Sequence, residues 1–354
     1  MDMAYKIILS SHVPADISNL IAEIDEFKGR WEALKNIVPD KLSMLRKVAT
    51  IASIGSSTRI EGARLSDSDV DELLTTIGRH SFKSRDEEEV AGYADAMNLV
   101  FDSFLGIPIS ENHIRQLHGI LLKYSEKDRR HKGEYKKLPN NVEAFNADGK
   151  SVGIVFETAA PFQTPLYMKE LVEWYNNALT ERIHHPLLII GAFAVHFLAI
   201  HPFQDGNGRL SRILTTLMLL RLGYVYVPFC SLESIVEESK EQYYLSLRKA
   251  QKSIKTNNRG IEDWLRYFLK TLKKQKDILH KRLEEEKIAS LAEMPALSML
   301  ILNLTLEHTK VTVSDVQKST KANRNTIKKH LQVLTQKGLL KKHGEKKGTW
   351  YTRP

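Results

Sequence analysis

One stretch decides the fold of this chain: His201-Pro202-Phe203-Gln204-Asp205-Gly206-Asn207-Gly208-Arg209-Leu210-Ser211-Arg212. Apolar residues at helical spacing lead into it over residues 187–200 and out of it over residues 213–222. This spacing predicts two core helices joined by the quoted loop. Pro202 disfavours helical backbone at His201, so the first helix should end there. The imidazole would then face the loop from a helix terminus.

The second half of the stretch is typical of a site for an anion. Glycine at 206 and 208 lets the backbone approach a ligand, and the amides of residues 206–209 become the free donors of a helix N-terminus. Arg209 and Arg212 lie one turn apart on one helix face, so both can reach a single polyphosphate. This pattern predicts a phosphate-binding loop.

Two further side chains in the stretch indicate chemistry. Asp205 supplies a hard oxygen ligand suited to Mg²⁺, which normally accompanies such phosphates. His201 is the nearby group that can take a proton near neutral pH. The alternative is a loop between core helices that happens to carry charge. A base, a carboxylate, an anion site and two spaced arginines in one loop favour a functional site.

The stretch resembles the signature of the Fic family, His-Pro-Phe-x-(Asp/Glu)-Gly-Asn-Gly-Arg-x-x-Arg, at every fixed position. Fic proteins commonly transfer AMP from ATP to a protein hydroxyl. The resemblance implies that His201 deprotonates a Ser, Thr or Tyr hydroxyl of the target protein, and that Phe203 anchors the loop in the core.

The same resemblance implies the ligands of Mg²⁺ and ATP. Asp205 would hold the metal ion, and Arg209 and Arg212 the outer part of the triphosphate. The α- and β-phosphates would be held by Asn207 and by the amides of Gly206 and Gly208.

A second motif lies far upstream. A helix predicted from Pro39 should pass a weak point at Gly55 and run into residues 57–62, where Ser57 and Glu61 share a face. By itself this pattern indicates an exposed glutamate near a helix end. Beside the Fic signature it resembles the family's inhibitory motif, (Ser/Thr)-x-x-x-Glu-(Gly/Asn). The resemblance implies that Glu61 pairs with Arg212 and prevents productive binding of ATP.

Between residues 133 and 165 the helical period disappears, and a short β-hairpin turning at Asp148-Gly149 is predicted, with an irregular surface loop as the alternative. In Fic proteins a hairpin flap at this point aligns the target segment. Lys136 stands where the family commonly has arginine, a departure that bears on target specificity.

Other polar residues have less specific interpretations. Tyr243 and Tyr244 are either packing residues or, by the resemblance, part of the adenine pocket. The charged run 86–89 is interpreted as a solvated helix start, and His118 as a residue at the surface or edge of a helix.

The positive charge of the chain is concentrated at its C-terminal end. The net charge is +9, yet residues 309–354 carry 12 Lys and Arg against Asp315 and Glu345, so the rest is close to neutral. Three predicted helices and a short hairpin in this region resemble a winged helix-turn-helix. Its would-be recognition helix carries DNA-binding candidates, namely Asn323, Arg324, Asn325, Lys328 and Lys329. The alternative is a protein-binding or dimerisation module.

Composition is that of a globular protein, with 42% hydrophobic and 27% charged residues. The single cysteine, Cys230, excludes an internal disulfide and fits a cytoplasmic protein, and no membrane segment or signal peptide is expected.

We therefore expect a mainly α-helical chain with three parts. These are an N-terminal helical region (1–105) with the inhibitory motif 57–62, a Fic core with connector helices (106–290), and a winged helix (291–354). The leading function is an autoinhibited protein adenylyltransferase that uses ATP and Mg²⁺. Its partners would be a target protein, the chain itself as a substrate, DNA, or a second copy in a homodimer. The alternatives are another nucleotide donor or removal of AMP at the same site, and a DNA-binding regulator whose Fic core senses nucleotide.

Overall fold

The fold is described from a computed structural model that covers residues 13–35, 39–77, 81–145, 151–256, 261–292, 294–307, 310–320, 322–345 and 348–353. The chain divides into two compact units. One comprises Met1–Lys28 and Lys47–Lys276, and the other comprises Gly29–Arg46 and Asp277–Pro354. The predicted boundaries after residues 105 and 290 remain predictions.

The described residues are mainly helical, as expected. The helices are α1 (Ala15–Lys35), α2 (Pro39–Ile60), α3 (Asp67–Thr76), α4 (Arg85–Ser103), α5 (Glu111–Leu121), α6 (Thr164–Glu181), α7 (Pro186–Ile200), α8 (Asn207–Arg221), α9 (Leu232–Glu238), α10 (Lys240–Thr256), α11 (Ile261–Ala292), α12 (Ala296–Glu307), α13 (Val313–Thr320) and α14 (Arg324–Gln336). The strands are β1 (Val142–Phe145), β2 (Ser151–Phe156), β3 (Lys341–His343) and β4 (Trp350–Thr352). No described helix is both long enough and apolar enough to cross a membrane.

Helix α7 is the centre of the first unit. Every residue from Leu187 to Ile200 is buried, and the helix packs against α6, α8 and α10. An all-round apolar sequence has no polar face to turn toward water, so it is stable only where neighbours cover it on all sides. The helix starts at Pro186, which suits the first helical position, and it ends before Pro202 as predicted. The site loop is therefore held by a fully buried helix.

Helix α2 passes Gly55 without interruption and ends at Ile60. Glu61 lies in the turn that follows, where its N–H donates to Thr58 O at 3.0 Å. On the helix itself Ser57 and Thr58 are fully buried, although both are polar. A buried hydroxyl requires a hydrogen-bond partner. This end of α2 therefore forms polar contacts as well as apolar ones.

The predicted β-hairpin is confirmed in the strands that the structure describes. Strands β1 and β2 pair antiparallel, with Val142 opposite Phe156 and Phe145 opposite Ser151. The predicted turn at Asp148-Gly149 lies outside the described residues.

In the second unit, α12, α13 and α14 surround an apolar cluster that includes Ile301, Val316, Ile327 and Leu331. Strands β3 and β4 pair antiparallel beside it, and Val311 forms a β-bridge with Tyr351. The order of three helices and a hairpin agrees with the sequence-based expectation. Assignment to the winged-helix class remains a prediction.

Close contact between α4 and α5 gives the first stability prediction. A Cβ added at Gly92 on α4 would collide with the backbone carbonyl of Leu121 on α5. Backbone cannot move aside as a flexible side chain can, so Gly92→Ala should lower the free energy of unfolding by about 1–3 kcal/mol, measured by urea denaturation.

The matched control is Gly119→Ala on α5, because a Cβ there would have no neighbour within 4 Å. This variant should leave stability unchanged or raise it by about 0.5–1 kcal/mol, since alanine favours a helix more than glycine does. Equal stability of the two variants would contradict the close approach of the helices.

Candidate active site

Hydrogen bonds within the site loop, and one from a neighbouring loop, hold the site loop in place. His201 ends α7 in the left-handed conformation, with φ of 54°, and Phe203 is fully buried. The Asn207 side chain accepts a hydrogen bond from Phe203 N–H at 2.9 Å and donates to Phe203 O at 2.7 Å. Asn140 also donates to Phe203 O, at 2.6 Å. These bonds hold the loop in one shape.

The role expected of Asn207 differs from its contacts in the structure. Its amide oxygen and amide nitrogen both close on Phe203, so a contact to phosphate would come from its backbone N–H at the start of α8. The expected anchoring by Phe203 matches its complete burial.

One hydrogen bond orients the imidazole of His201 and sets its tautomer. Its Nδ1 lies 3.3 Å from Leu198 O, and a carbonyl can only accept, so Nδ1 carries the proton and Nε2 keeps a lone pair. Burial, together with the positive charge of Lys136, lowers the pKa of His201 to about 4. The ring is therefore neutral at physiological pH, and the same burial makes it a weaker base than the sequence alone suggests.

Lys136 also stabilises the site loop through hydrogen bonds. Its buried ammonium group donates to Ile200 O at 3.0 Å, Asn140 Oδ1 at 2.7 Å and Thr158 Oγ1 at 2.8 Å. Three acceptors match the three donors of an ammonium group. Burial lowers the pKa of Lys136 to about 8. Lys136, the position that departs from the family pattern, thus contacts the end of α7, next to the site loop.

Asp205 belongs to a ring of alternating charges. Arg85 lies 2.8 Å from Glu89 and 3.1 Å from Asp205. Arg209 lies 2.9 Å from Glu89 and 3.4 Å from Asp205. Burial opposes ionisation of Asp205, but the charge of Arg209 and the hydrogen bond from the Gly206 amide lower its pKa. The Asp205 carboxylate is therefore ionised at neutral pH.

This ring of charged side chains corrects one sequence-based interpretation. The run 86–89 was expected to be a solvated helix start, yet the Glu89 side chain is only 11% exposed and pairs with the buried Arg209. Periodicity could have placed Glu89 on the inner face of α4 with Val90 and Tyr93, but not beside Arg209.

Arg212 contacts Ser57 and Glu61; an inhibitory role for these residues remains a prediction. Its Nη2 donates to Glu61 Oε1 at 2.9 Å and to Ser57 O at 2.9 Å, and its Nε donates to Ser57 Oγ at 2.8 Å. Burial alone would lower the pKa of Arg212, but the charge of Glu61 raises it above its usual value. The Glu61 carboxylate, at the end of α2, thus stabilises the charged form of the Arg212 guanidinium.

The same carboxylate covers the N-terminus of α8. A Cβ added at Gly208 would meet the Glu61 carboxylate, so the glycine lets this carboxylate lie directly against the helix start. The amides of a helix N-terminus attract negative charge. Glu61 therefore occupies part of the anion site that the sequence predicts.

The donors and ligands present fit a magnesium–polyphosphate. Among the described residues, the buried Arg209 Nε has no hydrogen-bond acceptor, and an anion would supply one. Within the described ranges no three His, Cys, Asp or Glu side chains form a metal cluster. Mg²⁺ bound at Asp205 would take its other oxygen ligands from phosphate and water, which is its usual preference.

Tyr243 and Tyr244 differ in environment. Tyr243 is 5% exposed, and its ring contacts Tyr244, Trp264 and Tyr267. It lines a cavity that also includes Arg212 and Trp264. Tyr244 is half-buried beside a groove along α10. Packing therefore accounts for Tyr243, and a contact of either residue with adenine remains a prediction.

His118 was expected at a helix surface, and this expectation is wrong. The residue is fully buried, and its ring is stacked on Phe203 with centroids 3.8 Å apart. It bonds to Gly133 N and to Asp205 O. The sequence contains one signal of this placement: His118 follows Ile114 by four residues and Leu117 by one on the buried face of α5.

The DNA-binding candidates lie in the second unit. Asn323 caps α14 by accepting a hydrogen bond from Asn325 N–H at 2.8 Å. Arg324, Asn325, Lys328 and Lys329 are all exposed, whereas Ile327 and Leu331 of the same helix are buried. The structure thus places these polar side chains on one solvent-facing side of α14.

Comparison with known proteins agrees with the resemblance. Residues 108–219 match the sequence profile of the Fic/DOC family. A probable protein adenylyltransferase of Aquifex aeolicus is 29% identical over 119 residues, which is 33% of this chain and 36% of that protein. The protein adenylyltransferase Fic of Drosophila grimshawi is 27% identical over 241 residues, covering 67% of this chain and 44% of that protein. The chain thus spans less than half the length of these relatives.

Solved structures show the same fold. A Fic-domain-containing signaling protein from Bacteroides thetaiotaomicron has a TM-score of 0.60 and 25% identity, covering 74% of this chain and 97% of that one. A Fic family protein from Desulfovibrio desulfuricans has a TM-score of 0.59 and 20% identity over 97% of both chains. The chain is thus similar to Fic-domain proteins, with the match to the family profile in residues 108–219.

Proposed function

We propose that this chain is an autoinhibited protein adenylyltransferase. It transfers AMP from ATP to a Ser, Thr or Tyr hydroxyl of a target protein, and to itself. The observation that carries the proposal is the contact of Glu61 with Arg212 across the N-terminus of α8, opposite a neutral His201. The relatives described as protein adenylyltransferases support the same reaction class.

In the proposed reaction, Nε2 of His201 takes the proton of the target hydroxyl. The hydroxyl oxygen forms a bond to the α-phosphorus of ATP, and the bond from this phosphorus to the bridging oxygen breaks, releasing pyrophosphate. Nδ1 donates to Leu198 O throughout, which keeps the ring in the orientation and tautomer that the step needs.

The remaining groups would bind and neutralise the triphosphate. Arg209, Arg212 and the first amides of α8 supply donors to its oxygens, as transfers of this class require. Mg²⁺ held by Asp205 would offset negative charge on the phosphates. The Asp205 carboxylate is ionised and therefore ready for this role.

Inhibition follows from where Glu61 lies. Its carboxylate uses a donor of Arg212 and covers Gly208, so it places negative charge where an outer phosphate of ATP should bind. ATP would be excluded or would bind with its α-phosphate misplaced. A misplacement of about 1 Å at a reacting atom can cost on the order of 10²-fold in rate.

We predict that His201→Ala abolishes AMP transfer and leaves nucleotide binding largely intact, because the phosphate contacts come from other residues. Loss of a general base typically costs about 10²–10⁴-fold. The measurements are incorporation of labelled AMP and nucleotide affinity by calorimetry, both made in a Glu61→Gly background. Transfer near the rate of that parent would exclude His201 as the base.

The second prediction concerns release of inhibition. Glu61→Gly should increase AMP transfer, including self-modification, because it frees Arg212 and removes the opposing charge. Glu61→Gln keeps the bulk of the side chain and removes the charge, so it separates electrostatic release from loosening of the turn after α2. Labelled ATP, GTP, UTP and CTP, offered in parallel, identify the donor.

The control for this experiment is Glu61→Gly combined with His201→Ala. Labelling of the double variant would come from outside this site. If the parental and Glu61→Gly proteins label equally, residues 57–62 form a packing element without an inhibitory role.

For the second unit we propose binding to DNA, mainly through phosphate contacts. The support is the net charge of +10 in residues 309–354, together with the exposed basic side chains of α14. Phosphate contacts release counterions, so affinity should fall steeply as salt increases.

The test uses the full chain with Arg324, Lys328 and Lys329 all changed to alanine. The slope of log affinity against log salt should become shallower by about one for each DNA phosphate that the variant no longer neutralises. The control changes three exposed lysines of the first unit, Lys169, Lys249 and Lys270, and removes the same charge. Equal weakening by both triple variants, or no DNA binding by the parent, would contradict the proposal and favour a protein-binding module.

A further inference from the structure

His118 holds one proton, and the structure shows where. Its Nδ1 lies 2.8 Å from the Gly133 amide, which can only donate, so Nδ1 accepts and carries no proton. The proton of the neutral ring is therefore on Nε2. This nitrogen lies 3.0 Å from Asp205 O and donates to it. His118 thus connects α5, the loop at Gly133 and the catalytic loop through two directional bonds.

The carbonyl that His118 holds belongs to the peptide between Asp205 and Gly206. The N–H of this peptide donates to Asp205 Oδ1 at 2.6 Å. Because a peptide unit is planar, fixing the direction of its C=O also fixes the direction of its N–H. The position of the carboxylate is therefore linked to the His118 ring through a single rigid peptide unit.

We propose that His118 is a positioning residue of this site: through the Asp205–Gly206 peptide it aims the Asp205 carboxylate and sets the entry of the chain into α8. Its effect on catalysis rests on the proposed function, but its effect on the loop does not.

A packing role is the competing explanation, since the ring also stacks on Phe203. Two substitutions separate the roles. His118→Phe keeps a flat ring against Phe203 and removes both hydrogen bonds. His118→Gln loses the ring, but its carboxamide has one donor and one acceptor and can bond to the same two backbone groups.

The direct readout is the amide of Gly206, observed by NMR. Labelling with carbonyl-¹³C aspartate and ¹⁵N glycine selects only Asp–Gly pairs, and the sequence contains two, 148–149 and 205–206. The first pair is not part of the loop sequence 201–212 and serves as an internal control in the same spectrum. Thermal melting of each variant shows whether it is folded.

We expect His118→Phe to shift the Gly206 signal and to accelerate exchange of its proton with water on the order of ten-fold. His118→Gln should retain the parental signal and exchange rate. The opposite order, with Phe retaining the signal and Gln losing it, would overturn the proposal in favour of packing. An unchanged Gly206 amide in both variants would also overturn it.

The catalytic readout is AMP transfer in the Glu61→Gly background. His118→Phe should lower the turnover number about 10²-fold, while His118→Gln stays within about three-fold of the parent, because only the first misplaces the carboxylate. If the NMR result is as expected but the Glu61→Gly parent itself transfers no AMP, the proposed function is wrong and the positioning role stands. If transfer is robust and insensitive to His118→Phe, the positioning role is wrong and the proposed function stands.

Discussion

The buried guanidinium of Arg212 is the constraint on which the site depends. A charge removed from water is unstable unless a counter-charge and hydrogen bonds replace its hydration. Arg212 is 8% exposed, and its partners come from the end of α2. Among the buried hydroxyl residues of α2, Ser57 bonds to Arg212, whereas Thr58 donates within its own helix. Ser57 supplies both its hydroxyl and its carbonyl oxygen, and Glu61 supplies the charge.

This requirement would link the proposed inhibition to the stability of the fold. In the absence of nucleotide, some anion must lie beside Arg212, and the Glu61 carboxylate is that anion in the structure. An outer phosphate of ATP would satisfy the same requirement, so the two compete for one cation. Arg59 also stabilises the packing of α2 against α9, because it donates to both carboxylate oxygens of Glu237, at 2.7 and 3.0 Å.

Sequence reasoning succeeded where chemistry is local. Pro202 ends α7, glycine permits the turn at 206, and Ser57 and Glu61 share a face because they are four residues apart. It failed at His118 and Glu89, whose partners are distant in the chain. His118 is 87 residues from Asp205, and no periodicity encodes this contact. Buried polar residues on an apolar helix face indicate that a partner exists, but only the packing of α4 and α5 on the loop identifies the partner.

The two histidines of this site show what distinguishes a base from a structural residue. Burial lowers the pKa of both His118 and His201 to about 4, so both rings are neutral at physiological pH and their pKa values do not separate them. Their hydrogen bonds distinguish the two histidines. His118 uses both nitrogens on backbone groups and has no lone pair left to accept a proton. Among the described residues, His201 forms a hydrogen bond only through Nδ1, at the end of α7, and keeps the lone pair of Nε2. The occupied and unoccupied ring nitrogens therefore support the proposal of His201 as the base and of His118 as a support of the loop.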